Sequence, residues 1–387
     1  MSRRKTVLVQ HFSGLMPLGG IAWQSMAYVL GLKRLGYDVW YIEDNGANPY
    51  SPRQNSVVWD STENIAFVRR MMERSGLGNR WAYWDPVTGQ YVGLSKDELF
   101  ALYAGADALI NLCGVTKLRD EHLKCPVRIF LDTDPPYEQI RLFKGEADSL
   151  SYIGAHTHFF TYGENFGGAD CPVPLTLPWK KTRPPVVLTE WQPDFDLPTT
   201  HYTSIATWQN KGKNIEFGGE NYQWSKHLNF IRFLDLPRRA STRKFRLAMI
   251  TPNRELNDEL KGYGWDLVDP VPVSESMESY ADFIRRSRGE FTVAKDIYVR
   301  TSIGWCSDRS VSYLAAGRPV ITQATAAEKF IPHGRGLFCY RDWDGIFAAL
   351  DAIEGDYRSH CRWAREIAEA YFDSDKLLRD MMEQAGV

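Results

Sequence analysis

Between Phe291 and Phe330 the sequence runs FTVAKDIYVRTSIGWCSDRSVSYLAAGRPVITQATAAEKF. An apolar strand there feeds a loop carrying Lys295, Tyr298 and Arg300. A second loop, GWCSDRS, then opens a helix that stops at Gly317. Ser307 or Asp308 can cap that helix, and the unpaired N–H groups of its first turn, next to Ser310, suit a phosphate. Arg309, Lys295 or Arg300 would add positive charge, and Trp305 offers a flat face to a base or a sugar ring. A capped helix with a tryptophan in the core accounts for the same pattern without a ligand.

A second set of reactive side chains lies early in the chain. His11 follows the first strand, and Asp132 and Asp134 follow the strand VRIFL. In a parallel sheet these are carboxyl ends of strands, the edge where ligands bind. An imidazole backed by a carboxylate suits proton abstraction at neutral pH, so His11 is the expected base and Asp132 or Asp134 its orienting partner. A loop histidine and a helix cap before Pro135 are the structural alternatives. The DTD string also matches a pair of metal-binding carboxylates, but no metal is expected. Gly19 and Gly20 open a helix and let backbone approach a phosphate or sugar closely. Glu164 and Asn165 after HFFTY fall on the same edge and are binding candidates, or caps of a turn. Thr207, Trp208 and Lys213 lie in the lysine-rich loop after the second half's first strand, which can meet a phosphate or simply be solvated. Glu328 with Lys329, after TQATAA, is a further candidate pair or a surface ion pair.

The elements that must position these residues read as α/β. TVLVQ (6–10), VWYI within 38–42, ALINL (108–112), VRIFL (127–131) and HFFTY (158–162) are apolar runs of strand length, with helical stretches between them. A helix at 21–35 ends at Gly36. From Cys171 to Pro193 six prolines exclude a helix, which makes this stretch the expected linker. Strands resume at 204–207, 245–249, 291–293 and 319–322, with helices at 276–286, 310–316, 356–371 and 374–384. The expected division is an N-terminal domain over 1–184 and a C-terminal domain over 185–365, with a closing helix over 366–387.

With 387 residues the chain suits two cores rather than one. Its 46 basic and 48 acidic residues leave a net charge of −2, a balance that does not point to a general nucleic-acid or membrane-surface binder. Six scattered cysteines form no metal-spaced pair. The apolar run after the N-terminal arginines is too short for a signal peptide, and no 18-residue apolar stretch follows. A cytoplasmic location is the expectation.

The run SDRSVSYLAAGRPVITQATAAEKFIPHGRGLFCY resembles the donor-binding stretch of GT-B glycosyltransferases. It follows the pattern RxxExLAAGxPVIT except for Ser312 at the Glu position, and then has a Phe before a G.G turn. The matching residues are Arg309, Leu314 to Gly317, Pro319 to Thr322, Phe330, Gly334 and Gly336. The resemblance implies two Rossmann-like domains facing across a cleft, an acceptor domain over 1–184 and a donor domain over 185–365, with the closing helix over 366–387 returning to the first. In such enzymes the loop of Thr207 and Lys213 meets donor phosphate and Glu328 with Lys329 faces the transferred sugar, which leaves Glu164 and Asn165 for the acceptor. The resemblance also implies a nucleotide diphosphate-sugar co-substrate, with no other cofactor, and transfer of a hexosyl group. Many members carry a Glu-x7-Glu pair; aligned on LAAGRPV, those positions are Gly304 and Ser312, which are not carboxylates. Asp308, one helical turn before Ser312, can stand in for the ribose contact. The pairing of His11 with a mid-domain aspartate also resembles inverting natural-product glycosyltransferases, so a single inverting displacement is expected. The acceptor would be a small molecule or glycan rather than nucleic acid. A nucleotide-sugar epimerase and a non-catalytic nucleotide- or sugar-binding module are the alternatives.

Overall fold

Thr6–Gln10, β1, is buried at all five positions, as a strand covered on both faces must be. It lies inside an eight-stranded sheet completed by Asp38–Glu43 (β2), Trp81–Asp85 (β3), Gln90–Val92 (β4), Ala108–Leu112 (β5), Val127–Asp132 (β6), His158–Thr161 (β7) and Lys180–Lys181 (β8). The order is β8-β7-β6-β5-β1-β2-β3-β4, parallel except for the β3–β4 hairpin. β8 comes from the proline-rich stretch and pairs with β7, so the middle of that stretch belongs to the first sheet. The computed structural model describes residues 3–210 and 212–387; position 211, in the lysine-rich loop, lies outside them.

A second, six-stranded parallel sheet comprises His201–Thr207 (β9), Lys244–Ile250 (β10), Asp266–Val268 (β11), Gly289–Thr292 (β12), Val320–Gln323 (β13) and Leu337–Tyr340 (β14). Its order is β11-β10-β9-β12-β13-β14. Both halves are doubly wound Rossmann-like α/β sheets, and the fold class read from the sequence holds.

Six helices frame the cleft and its seam: Gly19–Arg34 (α1), Met277–Arg285 (α2), Asp296–Thr301 (α3), Asp308–Ala315 (α4), Tyr357–Tyr371 (α5) and Ser374–Gln384 (α6). α1 starts two residues earlier than its apolar periodicity predicts, because Gly19 must pass close to α2. A Cβ on Gly19 would lie 2.2 Å from the Ser276 carbonyl oxygen. Trp23 of α1 donates its indole N–H to the Met277 carbonyl at 2.8 Å. One apolar core runs from Val7, Trp23 and Met26 through Met277 and Tyr280 to Leu314, so the two sheets meet across a closed seam. α6 packs on α1, where Arg34 pairs with Asp375 at 2.9 Å. No described helix is long and apolar enough to cross a membrane.

Candidate active site

In each sheet the chain first winds one way from its opening strand and then the other. The turning points are β1/β5 in the first sheet and β9/β12 in the second. The crevice beyond such a pair of carboxyl ends is where doubly wound sheets bind ligands. His11 and Cys113 follow β1 and β5; Trp208 and Val293 follow β9 and β12. The loops beyond both crevices meet across the cleft.

The DTD loop after β6 is held from the other side. Asp134 accepts hydrogen bonds at Oδ1 from the Lys295 ammonium, at 3.0 Å, and from the Tyr298 hydroxyl. Lys295 also touches that hydroxyl at 3.1 Å and lies 3.9 Å from the centre of the Trp224 ring. Trp305 donates its indole N–H to the Thr133 carbonyl at 2.9 Å. Burial opposes ionisation of Asp134, but Lys295 and Tyr298 outweigh it and hold the carboxyl below its usual range. Asp132 behaves oppositely. Burial and the neighbouring Asp134 charge push it to about 7, although Gln139 donates to it at 2.6 Å.

Arg309 lies across the second crevice. It donates to Glu290 Oε1 at 2.5 Å, to the Ile205 carbonyl at 2.8 Å and to Thr292 Oγ1 at 2.7 Å. That engages three of its five N–H groups. Beside it stands Lys226, half-buried, whose ammonium has no ion pair or hydrogen bond among the described residues. Burial lowers its pKa well below the usual lysine value, and the charges of Arg309 and Lys295 lower it further. Three basic side chains, Lys226, Lys295 and Arg309, thus stand beside two carboxylates, Asp134 and Glu290, and burial disfavours the charged form of Lys226 until an anion joins it.

Asp308 opens α4 and bridges the two halves. Its Oδ2 accepts from Gln24 at 3.1 Å and its Oδ1 lies 3.5 Å from the Tyr162 hydroxyl, which contacts Tyr28. Burial, then Asp134, raise it to about 7. Ser307 precedes the helix without a side-chain cap bond, and the Ser310 hydroxyl is buried without a partner. Ser312 is turned back onto the Asp308 carbonyl at 3.1 Å.

The His11–aspartate dyad expected from the sequence is not formed. His11 is fully buried; its Nδ1 lies 2.7 Å from Ser25 Oγ and its Nε2 3.5 Å from Cys113 Sγ. Burial lowers it to about 3, so the ring is neutral and enclosed. The partners of Asp132 and Asp134 are Gln139, Lys295 and Tyr298 instead. Other expected ligand contacts are also occupied by protein. Gly19 makes room for α2, and Gly20 lies against Tyr280 while still lining the seam. Trp305 packs on Tyr298 with ring centres 4.4 Å apart. Glu164 is paired by both oxygens with Arg183 at 2.7 Å. Asn165 ties the halves together, its N–H donating to the Ile303 carbonyl at 2.9 Å and its side chain to the Ser302 carbonyl at 2.7 Å. Glu328 binds Arg341 at 2.6 Å through Oε1, and its Oε2 is buried without a partner. Lys213 is exposed, its ammonium 5.1 Å from the Trp224 ring centre.

Thr207 borders an apolar recess of about 220 Å3 at the carboxyl ends of β9 and β10. Ile205, Ala206, Ile250 and Val271 form one wall, Leu18 and Ile21 the other, with Arg309 at one end. Arg309 thus borders both this apolar recess and the basic side chains Lys226 and Lys295. The Asp44, Glu121 and His122 cluster lies apart from it. There Arg119 donates to Asp44 Oδ2 at 2.7 Å and Tyr103 at 2.9 Å, so the carboxylate is already neutralised and bonded.

No protein-family model matches the sequence, and no curated protein matches it. Solved structures do match over the whole chain. An alpha-glucosyltransferase in complex with UDP and a 13-mer DNA containing a HMU base superposes with a TM-score of 0.61 at 9% identity, covering 100% of both chains. Sucrose-phosphate synthase from Thermosynechococcus elongatus gives 0.54 at 11% identity, covering 99% of this chain and 98% of the other. Anabaena HepE in complex with UDP and glucose gives 0.53 at 10% identity, covering 99% and 100%. With two Rossmann-like sheets opposed across a cleft, the chain has the GT-B fold.

Proposed function

We propose that this GT-B chain is a glycosyltransferase that moves a hexosyl group from a nucleotide diphosphate-sugar to a small-molecule or glycan acceptor. The observation that carries the reading is Lys226. A lysine with no ion pair or hydrogen bond among the described residues, close enough to Arg309 and Lys295 to feel their charges at the crevice of a doubly wound sheet, is a basic group that a diphosphate would engage. The apolar recess bordered by Thr207 takes the base, with the first turn of α4 and the remaining Arg309 N–H groups beside the phosphates. Ser310 and Asp308 lie on the same turn, and Asp308 is the carboxylate for the ribose. The sugar then points towards the DTD loop.

In this reading the carboxylates of the DTD loop take the place expected of His11. The acceptor hydroxyl gives its proton to Asp132 or Asp134. Its oxygen bonds to the anomeric carbon, and the anomeric C–O bond breaks with its electron pair leaving on the nucleoside diphosphate. This is a single inverting displacement. An acid near pKa 7 is well matched to such a proton transfer. The neutralising charge comes from Lys226, Lys295 and Arg309. The neighbour with a 13-mer DNA raises nucleic acid as an acceptor, but a net charge of −2 provides no general attraction for a polyanion.

UDP is the first nucleotide to test, because the neighbours' complexes contain it. Incubation of UDP-sugars with a panel of saccharide and aglycone acceptors, following UDP release, tests the reading. UDP release that rises with one acceptor supports transfer. Release of free UDP from the sugar nucleotide regardless of acceptor would favour a different reaction on the same fold.

A further inference from the structure

Resting on that donor reading, we propose that Asp134 occupies the counter-ion seat of Lys295 until a diphosphate displaces it, so that donor binding frees the carboxylate for the acceptor. Asp134 belongs to the first half of the fold and Lys295 to the second. Both bonds to Asp134 land on one oxygen, Oδ1, and its side chain is 44% exposed while that of Lys295 is 10% exposed. The carboxylate can therefore turn to water at little cost, whereas the ammonium cannot. Left alone, Lys295 would share the fate of Lys226, a basic group whose charged form burial disfavours. Asp134 prevents this with one negative charge; a diphosphate brings more and reaches Lys226 as well.

The exchange also retunes the carboxylate. Lys295 and Tyr298 are what hold Asp134 in its ionised, low-basicity state. Once Lys295 turns to phosphate, Asp134 loses the ammonium that holds it ionised, while the neighbouring Asp132 and Asp308 favour its protonated form. It becomes a competent proton acceptor only after the donor is seated, which orders donor before acceptor and protects the seam while empty.

The test is calorimetric titration of inorganic pyrophosphate and of UDP into wild type, Asp134→Asn, Tyr298→Phe and Lys295→Ala. Asp134→Asn removes the competing charge and should tighten both ligands about fivefold, the worth of one half-exposed ion pair. Tyr298→Phe removes one of the two bonds holding the carboxylate without changing any charge, and should tighten them by a smaller factor. Lys295→Ala should weaken both. Unchanged or weaker binding to Asp134→Asn and Tyr298→Phe, with wild type binding normally, overturns the exchange while leaving the donor reading intact. Wild type that binds neither pyrophosphate nor any nucleoside diphosphate overturns both.

Discussion

Arg309 and Glu290 form a buried ion pair, Nε to Oε1 at 2.5 Å, with the glutamate side chain fully enclosed within β12 and the arginine reaching it from the start of α4. The pair fastens the helix start to the sheet. Arg309 is therefore a structural cation as well as a candidate ligand.

Arg309→Ala would leave Glu290 ionised and alone in the core. Breaking a buried pair from one side costs about 3–5 kcal/mol, so the variant should melt well below wild type in calorimetry. Loss of nucleotide binding by that variant would follow from unfolding as readily as from a lost contact. A melting temperature within a degree of wild type would show that the pair contributes little.

His11 sets an acid limit. Its folded-state pKa of about 3 lies below the unfolded value of about 6.5, so the unfolded chain binds the extra proton between those values. The associated stability is present above pH 6.5 and is lost as pH falls towards 3. His11→Gln can keep the bond to Ser25 and should flatten this acid limb by an amount of the order of 3 kcal/mol, seen in urea melts from pH 7 to 4. UDP affinity should be unaffected, since the ring is enclosed.

Asp132 works in the opposite direction. Its folded pKa of about 7 is above the unfolded value of about 3.9, so the folded state holds the proton over that window. Its stabilisation is full below pH 4 and lost as pH rises through 7. Asp132→Asn should therefore lose less stability than wild type between pH 5 and 8, by about 2–3 kcal/mol in denaturant titrations. Asp308 and Glu43, each also near 7, leave part of the slope in the variant.

Gly19→Ala tests the seam. The new methyl would meet the Ser276 carbonyl oxygen at 2.2 Å and Tyr280 Cβ at 2.8 Å, and neither can yield without moving α2. Separation of the halves or a loss of about 2 kcal/mol or more is expected, read as a larger radius of gyration in small-angle scattering or a lower melting temperature. An unchanged scattering profile and melt would mean that the seam is not closed in solution.

The architecture is legible because buried parallel strands announce themselves as unbroken aliphatic runs: TVLVQ, ALINL and the strand after Pro319 all lie in the sheets. β3, WAYWD, escapes that pattern because all its large apolar residues are aromatic and it forms half of a hairpin. β14, LFCY, escapes it because it is four residues long behind a glycine turn. The site is less legible. Sequence position places Asp134, Lys295 and Asp308 at the cleft, since each follows a strand or opens a helix. It cannot show that His11 is sealed by Ser25 and Cys113, fourteen and 102 residues away. Lys226 carries no signal at all in the sequence. QWSKHLNF holds no motif, and the lysine gains its meaning only from Arg309 and Lys295, which the fold brings beside it.

Lys226 also offers the most direct test of the donor cleft. UDP should be titrated calorimetrically, in the presence of a chelator, into wild type and Lys226→Ala. Removing this lysine relieves its desolvation and the repulsion by Arg309 and Lys295, which together outweigh the attraction of Glu290 and Asp134, so the variant should be at least as stable as wild type. Its UDP affinity should nevertheless fall tenfold or more, since a charge-assisted hydrogen bond contributes about 1.5–3 kcal/mol. Saturable binding by wild type with that loss in a fully folded variant is the predicted result. Equal affinity in the two proteins, or no binding of any nucleoside diphosphate to wild type, would contradict the assignment of this cleft as a donor site.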